Sequence, residues 1–381
     1  MKKRLLAVAA FMLSLNGYAA KDAAWMRYCA ISPDGQQIAF SYKGDIYTVG
    51  VNGGRANQIT TNPAHDTRPI WSPNGQQIAF ASDRLGSMDI YIVDKEGGVP
   101  TRLTTHSGTE TPLVFKDNGH ILFQANILPA ADDTQFASAQ FPQVYEVSTS
   151  GGRPIMFSSM PMEDINFSAD GKTILYHDKK GYEDAWRKHH TSSITRDIWM
   201  CTLDAERSYK KLSTFNGEDR NPVWANTETY YYLSEQNGSF NVFKASINGG
   251  SSIQITKHDK HPVRFLSRAN NGTLCYGYDG GIYTLKEGGQ PQKVNINVVT
   301  DKIDRDIIRQ IRNSGATQIA LSAEGKEVAF ILRGDVYVTS TEYKTTKQIT
   351  NTPQQERNVD FAPNGRSLVY ASERDGLWQL Y

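Results

Sequence analysis

The sequence predicts an all-β protein assembled from repeated four-stranded units, and three observations carry that expectation. A block of residues recurs. Ser32-Pro33-Asp34-Gly35, Ile38-Ala39-Phe40 and Asp45-Ile46-Tyr47 return as Ser72-Pro73-Asn74-Gly75, Ile78-Ala79-Phe80 and Asp89-Ile90-Tyr91, and again as Ala362-Pro363-Asn364-Gly365 with Leu368-Val369-Tyr370. The spacing of the first two is about 40 residues, the length of a propeller blade. Within a block, strand-length apolar and β-branched runs alternate with tight turns, where Pro presets φ and Gly supplies a positive one. The 31 glycines accordingly fall largely at turn positions. One small sheet cannot bury both of its faces, whereas sheets packed face to face around an axis can. The expected architecture is a six-bladed β-propeller of four-stranded blades followed by the start of a second, truncated β-propeller.

The elements follow in order. Residues 1–20 read as a secretory signal peptide: Lys2-Lys3-Arg4 is a basic start, Leu5 to Leu15 an apolar stretch too short to span a bilayer, and Gly17-Tyr18-Ala19 offers small residues for cleavage. A periplasmic or secreted location follows as an expectation. The first propeller is expected over 21–297. Blade one ends at Gln58-Ile59-Thr60 and blade two at Arg102-Leu103-Thr104. Blade three opens at Leu113-Val114-Phe115 and carries an insertion, Ala125 to Gln140. Blade four opens at Ile165-Asn166-Phe167 and carries a second insertion, Asp178 to Thr195. Blade five starts at Val223-Trp224, with Asn226-Thr227-Glu228 replacing the Gly turn, and blade six starts at Arg264-Phe265-Leu266. Residues 298–316 read as a connector. A fresh repeat then opens at Ile319-Ala320-Leu321 and another at Val359, so 317–381 is expected to hold the first blades of an incomplete second propeller. A propeller closes to hide its strand edges, so the chain is read as the N-terminal part of a longer protein.

Composition narrows the function classes. The 381 residues carry a net charge of +1 and 39% hydrophobic content. Such a balance argues against nucleic acid or a polybasic membrane surface as partner. Cys29, Cys201 and Cys275 are too few and too widely spaced for a disulfide framework and read as buried free thiols. No CxxC or His/Cys cluster suggests a metal, and no cofactor is expected.

The repeat with its Gly-Asp-Ile-Tyr and Ile/Leu-Thr elements resembles the propellers of the translocation protein TolB and of tricorn-type proteases. The layout of six units, connector and further units resembles the tricorn type, as do Tyr182 to Trp199 and Ala371-Ser372-Glu373-Arg374-Asp375-Gly376. That resemblance covers 21–381. It implies a downstream PDZ-like domain and a serine peptidase core of the tail-specific type, with the propellers gating unfolded peptides toward it. No catalytic residue is carried over to this chain. A homo-oligomer is a possible assembly. The alternative is a non-enzymatic TolB-like module that binds a partner protein or glycan. The N-terminal α/β domain of TolB-type proteins has no room before blade one.

Candidate channel residues come from a pattern five positions ahead of each opening aromatic: Asp66 before Trp71, Glu110 before Phe115, Asp219 before Trp224 and Glu356 before Phe361, with Arg68, Arg220 and Arg357 beside three of them. First strands are innermost in a propeller. Equivalent acids would therefore ring one mouth of the axis and steer peptide termini or basic side chains. Alternatively they accept backbone N–H bonds and pair with Arg between blades. In the second insertion, His189 and His190 beside Glu183 and Asp184 have ligand chemistry, but adjacent residues on an extended segment face opposite ways.

Overall fold

The computed structural model describes residues 25–127, 141–182, 191–299, 313–343 and 345–381. The signal, most of the first insertion, His189 and His190, and most of the connector lie outside the described residues. Among the described residues every regular element is a strand. The chain divides into two units, Met1–Thr300 and Asp301–Tyr381.

The first unit holds six antiparallel meanders. Sheet one is β1 (Arg27–Ile31), β2 (Gln37–Tyr42), β3 (Asp45–Gly50) and β4 (Gly54–Gln58). Sheet two is β5 (Asp66–Trp71), β6 (Gln77–Ser82), β7 (Asp89–Asp94) and β8 (Thr101–Arg102). Sheet three is β9 (Thr111–Asp117), β10 (His120–Ala125), β11 (Gln143–Ser148) and β12 (Ile155–Ser158). Sheet four is β13 (Met162–Phe167), β14 (Thr173–Asp178), β15 (Ile198–Thr202) and β16 (Tyr209–Lys211). Sheet five is β17 (Asp219–Trp224), β18 (Thr229–Ser234), β19 (Asn241–Ser246) and β20 (Ile253–Gln254). Sheet six is β21 (Arg264–Arg268), β22 (Leu274–Tyr278), β23 (Gly281–Leu285) and β24 (Gln292–Lys293).

The recurrent residues explain each meander. In sheets one, two and four the turn Ser accepts a backbone N–H from five residues on: Gln37 to Ser32 Oγ, 2.9 Å; Gln77 to Ser72, 2.9 Å; Thr173 to Ser168, 3.0 Å. The turn Asp or Asn accepts one from two residues on, and Gly35, Gly75 and Gly171 take the positive φ. The Thr of the Ile/Leu-Thr element ends the fourth strand's segment and ties it inward. Thr60, Thr104 and Thr256 each accept the buried N–H of Ile46, Ile90 or Val242 at 2.9 Å.

Both faces of the second strands are buried. Phe40, Phe80 and Phe123 are fully inaccessible, and burying each such ring contributes about 1.5–3 kcal/mol. The apolar clusters lie between sheets rather than within them. Ile46 of sheet one packs with Phe80 of sheet two, Ile90 of sheet two with Phe123 of sheet three, and Leu122 with Tyr176 of sheet four. Leu175 packs with Phe243 of sheet five, Tyr231 with Tyr276 of sheet six, and Cys275 with Phe40 of sheet one. First strands touch in the same cyclic order, β1 meeting both β5 and β21. Side chains lace the seams: the indole N–H of Trp71 donates to the Ala30 carbonyl (2.9 Å) and that of Trp224 to Asn166 (3.2 Å).

After sheet six the chain returns to sheet one. β25 (Ile296–Val298) pairs in parallel with β4, placing Ile296 opposite Gly54 and Val298 opposite Ala56. Sheet one thereby gains a fifth strand, and its strand partner ends one residue beyond the expected boundary at 297, because the last contribution to the unit is an edge pairing that no blade motif encodes. The approach is close enough to require Gly53: at φ 86°, a Cβ there would stand 2.4 Å from the Asn295 carbonyl.

The second unit contains a four-stranded sheet, β26 (Ala316–Leu321), β27 (Glu327–Leu332), β28 (Asp335–Ser340) and β29 (Thr346–Gln348). A three-stranded sheet follows: β30 (Glu356–Phe361), β31 (Leu368–Ser372) and β32 (Gln379–Leu380). Ala316 thus opens a strand rather than closing the connector. Ala329, Ile331, Val336 and Val359 form this unit's buried core.

Candidate functional site: the axial cavity and its kinked strands

A cavity of about 720 Å³ lies among the first strands of all six sheets of the first unit. Its walls owe their chemistry to a repeated bulge. In β1, β5, β13, β17 and β21 the register slips between Arg27 and Ala30, Thr67 and Ile70, Glu163 and Asn166, Arg220 and Val223, and Arg264 and Ser267. Each slip contains one residue at positive φ: Tyr28 (52°), Arg68 (56°), Asp164 (49°), Asn221 (54°) and Phe265 (58°). All five line the cavity. A bulge bends its strand and re-aims a side chain. For Asp and Asn the left-handed conformation is tolerable, whereas for bulky residues it stores about 1–3 kcal/mol apiece. Sheet three is the exception: its two slips pass over Lys116 and Leu113, and the position equivalent to the kinked residues, three ahead of Phe115, is Pro112, whose ring forbids positive φ.

The kinks are tied to the preceding sheet. The Arg68 N–H donates to Ser41 Oγ (3.2 Å) and the Asn221 N–H to His177 Nδ1 (3.2 Å). The Asn221 side chain accepts from the Leu266 N–H at 2.7 Å and donates to the Leu266 carbonyl at 3.2 Å.

Charge is gathered between sheets four and five. Arg196, buried, bridges Glu163 (3.1 Å) and Glu218 (2.7 Å); Arg220 pairs with the same Glu218. His177 Nε2 lies 3.1 Å from Glu163, and Lys179 lies 3.5 Å from it. Burial pushes the Glu163 carboxyl up, but the His177 hydrogen bond and the surrounding cations outweigh it and hold the group well below the usual carboxylate range. Glu218 follows the same logic: burial opposes ionisation, and Arg220 and Arg196 prevail.

The expected ring of exposed acids is not what the structure builds. Asp66 and Asp219 open their strands and Glu110 immediately precedes β9; all three are buried, and none lines the cavity. Each donates its backbone N–H to the preceding sheet: Asp66 to Gly44, Glu110 to Met88, Asp219 to Arg196. Asp66 is held by Arg84 Nη2, 2.9 Å from both oxygens, and Glu110 accepts from Thr104 of the preceding blade. Burial pushes both Glu110 and Asp219 up to about 7. In the second unit Glu356 accepts from Thr350, Thr352 and Ser372 at 3.0 Å each. The reason is geometric: the first residue of an inner strand abuts the neighbouring sheet, and the axis is reached only two residues later, at the bulge. Arg68 and Arg220 do line the cavity. Arg220 also lies over the Phe240 ring at 5.1 Å.

Tyr28, Asp164, Asn221 and Phe265 escaped sequence reasoning. The signal was available: in blades two, four and five the kinked residue stands three positions ahead of the opening aromatic, as Arg68 to Trp71, Asp164 to Phe167 and Asn221 to Trp224. Reading three positions ahead of that aromatic, rather than five, exposes the column. Among the described residues no group of three or more His, Cys, Asp or Glu is placed to hold a metal.

Residues 23–290 match the family described as the tricorn protease N-terminal beta propeller domain. Tricorn protease homolog 1 of Streptomyces coelicolor is 22% identical over 353 residues, covering 90% of this chain and 32% of that protein. The tricorn protease homolog of Saccharolobus solfataricus is 23% identical over 347 residues, covering 90% and 31%. The crystal structure of the tricorn protease overlays with a TM-score of 0.69 at 17% identity, covering 94% of this chain and 35% of that one; at that identity the likeness is one of fold. The chain thus spans about a third of the length of these relatives. A family match over most of the chain, together with sheets packed in a cycle about a common cavity, makes this chain a member of the tricorn protease N-terminal beta propeller family.

Proposed function

We propose that residues 21–297, extended by the pairing of β25, act as a six-bladed propeller that admits unfolded peptides along its axis, and that 317–381 begins a second propeller. The downstream partners in this reading are a PDZ-like domain and a tricorn-type serine peptidase core of a longer chain, which performs the hydrolysis. The observation that carries the reading is the axial cavity, faced by first strands from six sheets and lined by side chains that bulges turn inward. A passage of that size suits an extended chain and excludes a folded domain. Arg68 and Arg220 are the channel residues retained from the sequence pattern; Asp66, Glu110 and Asp219 support the seams behind them. The basic, apolar N-terminus supports export to the periplasm or medium, checked by N-terminal sequencing of the exported product.

The direct test is fluorescence anisotropy with labelled unstructured peptides of about ten residues, a length that threads one propeller in extended form. Saturable binding, displaced by unlabelled unfolded peptide but not by a small folded protein, is the expected result. Absence of binding, or equal displacement by the folded competitor, overturns the channel reading. Light scattering of the same samples reads out any self-association.

A further inference from the structure

Three of the five kinked residues are bulky, and these three are neighbours. Phe265 of sheet six, Tyr28 of sheet one and Arg68 of sheet two stand on consecutive inner strands. The Tyr28 and Phe265 ring centroids are 4.8 Å apart, tilted by 51°, and the Arg68 guanidinium lies over the Tyr28 ring at 4.5 Å. They form one continuous arc, ring to ring to guanidinium. Around the rest of the axis the equivalent positions are Pro112, Asp164 and Asn221, and the Asn221 amide is consumed by the Leu266 backbone.

We propose that Tyr28, Arg68 and Phe265 form a gripping surface for planar aromatic side chains, Phe, Tyr or Trp, of a peptide lying in the axial cavity. The proposal rests on the channel reading above and adds its substrate preference. A left-handed backbone is most costly at large side chains. Yet it is here, and not at the tolerant Asp or Asn positions alone, that three large planar groups are held toward the axis. Tilted aromatic pairs and guanidinium faces attract a further ring through its quadrupole, an attraction that an aliphatic side chain of equal area does not share. Arg68 is exposed, and among the described residues no carboxylate pairs with it. Its outward face is therefore accessible to a ligand. The opposite wall carries Asp164, exposed over 43% of its side chain beside His177, and its own ring-and-guanidinium pair, Phe240 under Arg220, is buried, so the preference is one-sided.

The test uses the chain with three unstructured peptides identical except for a central Trp, Leu or Glu, and measures each dissociation constant and the melting temperature of every variant. Wild type is expected to favour Trp over Leu by about tenfold, the factor that a stacking contribution near the upper end of the measured range produces. Phe265→Leu, which keeps volume but removes the ring, and Arg68→Lys, which keeps charge but removes the plane, are each expected to bring that ratio within about twofold at an unchanged melting temperature. Arg68 is exposed, so its variant remains informative should Phe265→Leu fail to fold. Equal binding of Trp and Leu peptides by wild type overturns the aromatic preference and leaves the channel standing. A preference that survives both substitutions overturns the assignment to this arc. Tightest binding of the Glu peptide, abolished by Arg68→Gln, assigns Arg68 to a carboxylate instead. Failure of all three peptides to bind overturns the channel reading itself.

Discussion

Glu110 and Asp219 show at the scale of one residue how burial decides a role. Each has a folded pKa of about 7, above its ordinary value of 4.5 or 3.8, because burial disfavours the charged form. With the folded value raised, the native state holds the proton more tightly than the unfolded chain. Their contribution is therefore complete below about pH 4 and is lost as pH rises through 7. Wild type is expected to melt progressively lower between pH 5 and 8. The double variant Glu110→Gln, Asp219→Asn should flatten that slope and melt roughly 2–4 °C higher than wild type at pH 8. Calorimetry across the range checks it, and a parallel downward shift at every pH would contradict it. Arg196 makes the opposite case. It sits between Glu163 and Glu218 with only 5% of its side chain exposed. Arg196→Gln removes the cation that Glu163 and Glu218 share, leaving the first with His177 and Lys179 and the second with Arg220, and is expected to cost about 3–5 kcal/mol, read from urea denaturation.

At the scale of elements, the return of β25 to β4 determines how sheet one is completed. Gly53 permits it. Gly53→Ala would place a methyl group 2.4 Å from the Asn295 carbonyl at a φ of 86°, so the two strands must separate or the turn must distort. A loss of about 1–3 kcal/mol is expected, together with faster hydrogen exchange at the Gly54 amide, which donates to Asn295 at 2.9 Å. Gly54→Ala supplies the control for backbone strain alone, since Gly54 also has a positive φ, 108°, but a Cβ there meets nothing within 4 Å. Equal exchange in the two variants would mean that the approach of Asn295 is not what Gly53 protects. The fourth-strand threonines are the local counterpart: each saves one buried N–H, and each was visible in the sequence only as a recurring Ile/Leu-Thr.

Across the first unit, stability is distributed around a cycle rather than held in one core. Every apolar cluster of this unit joins two consecutive sheets, the last joining sheet six to sheet one. A sheet removed from the cycle would expose both of its faces, so this unit is expected to unfold cooperatively. Phe123→Ala, at a fully buried site between sheets two and three, should destabilise it by about 3–5 kcal/mol. Hydrogen-exchange protection should fall in sheet five as well as in sheet three. Loss confined to sheets two and three would show that neighbouring sheets open independently.

Strand positions and turns of this protein were legible in its sequence because they depend on local chemistry. A Pro-Asn-Gly turn, a strand-length apolar run and a Thr that caps a buried N–H act within one repeat, and repetition amplifies each signal. The acids ahead of the opening aromatics were legible as a pattern but not in their role. Arg84 reaches Asp66 from the β6–β7 turn of the same sheet, but whether water also reaches that carboxylate depends on sheet one, whose Gly44 carbonyl accepts the Asp66 N–H and which lies beside it only after folding. The same holds for β25, whose three residues carry no blade motif and acquire a partner more than two hundred positions away, and for Tyr28, Arg68 and Phe265, far apart in the chain and joined in one arc by closure of the cycle. Sequence alone determined the repeating unit, since hydrogen bonding and side-chain alternation operate over a few residues. Tertiary structure alone decided which side chains reach the axis, because one extra residue in a strand turns its neighbour to another face, and only the packed sheets hold that strained turn in place.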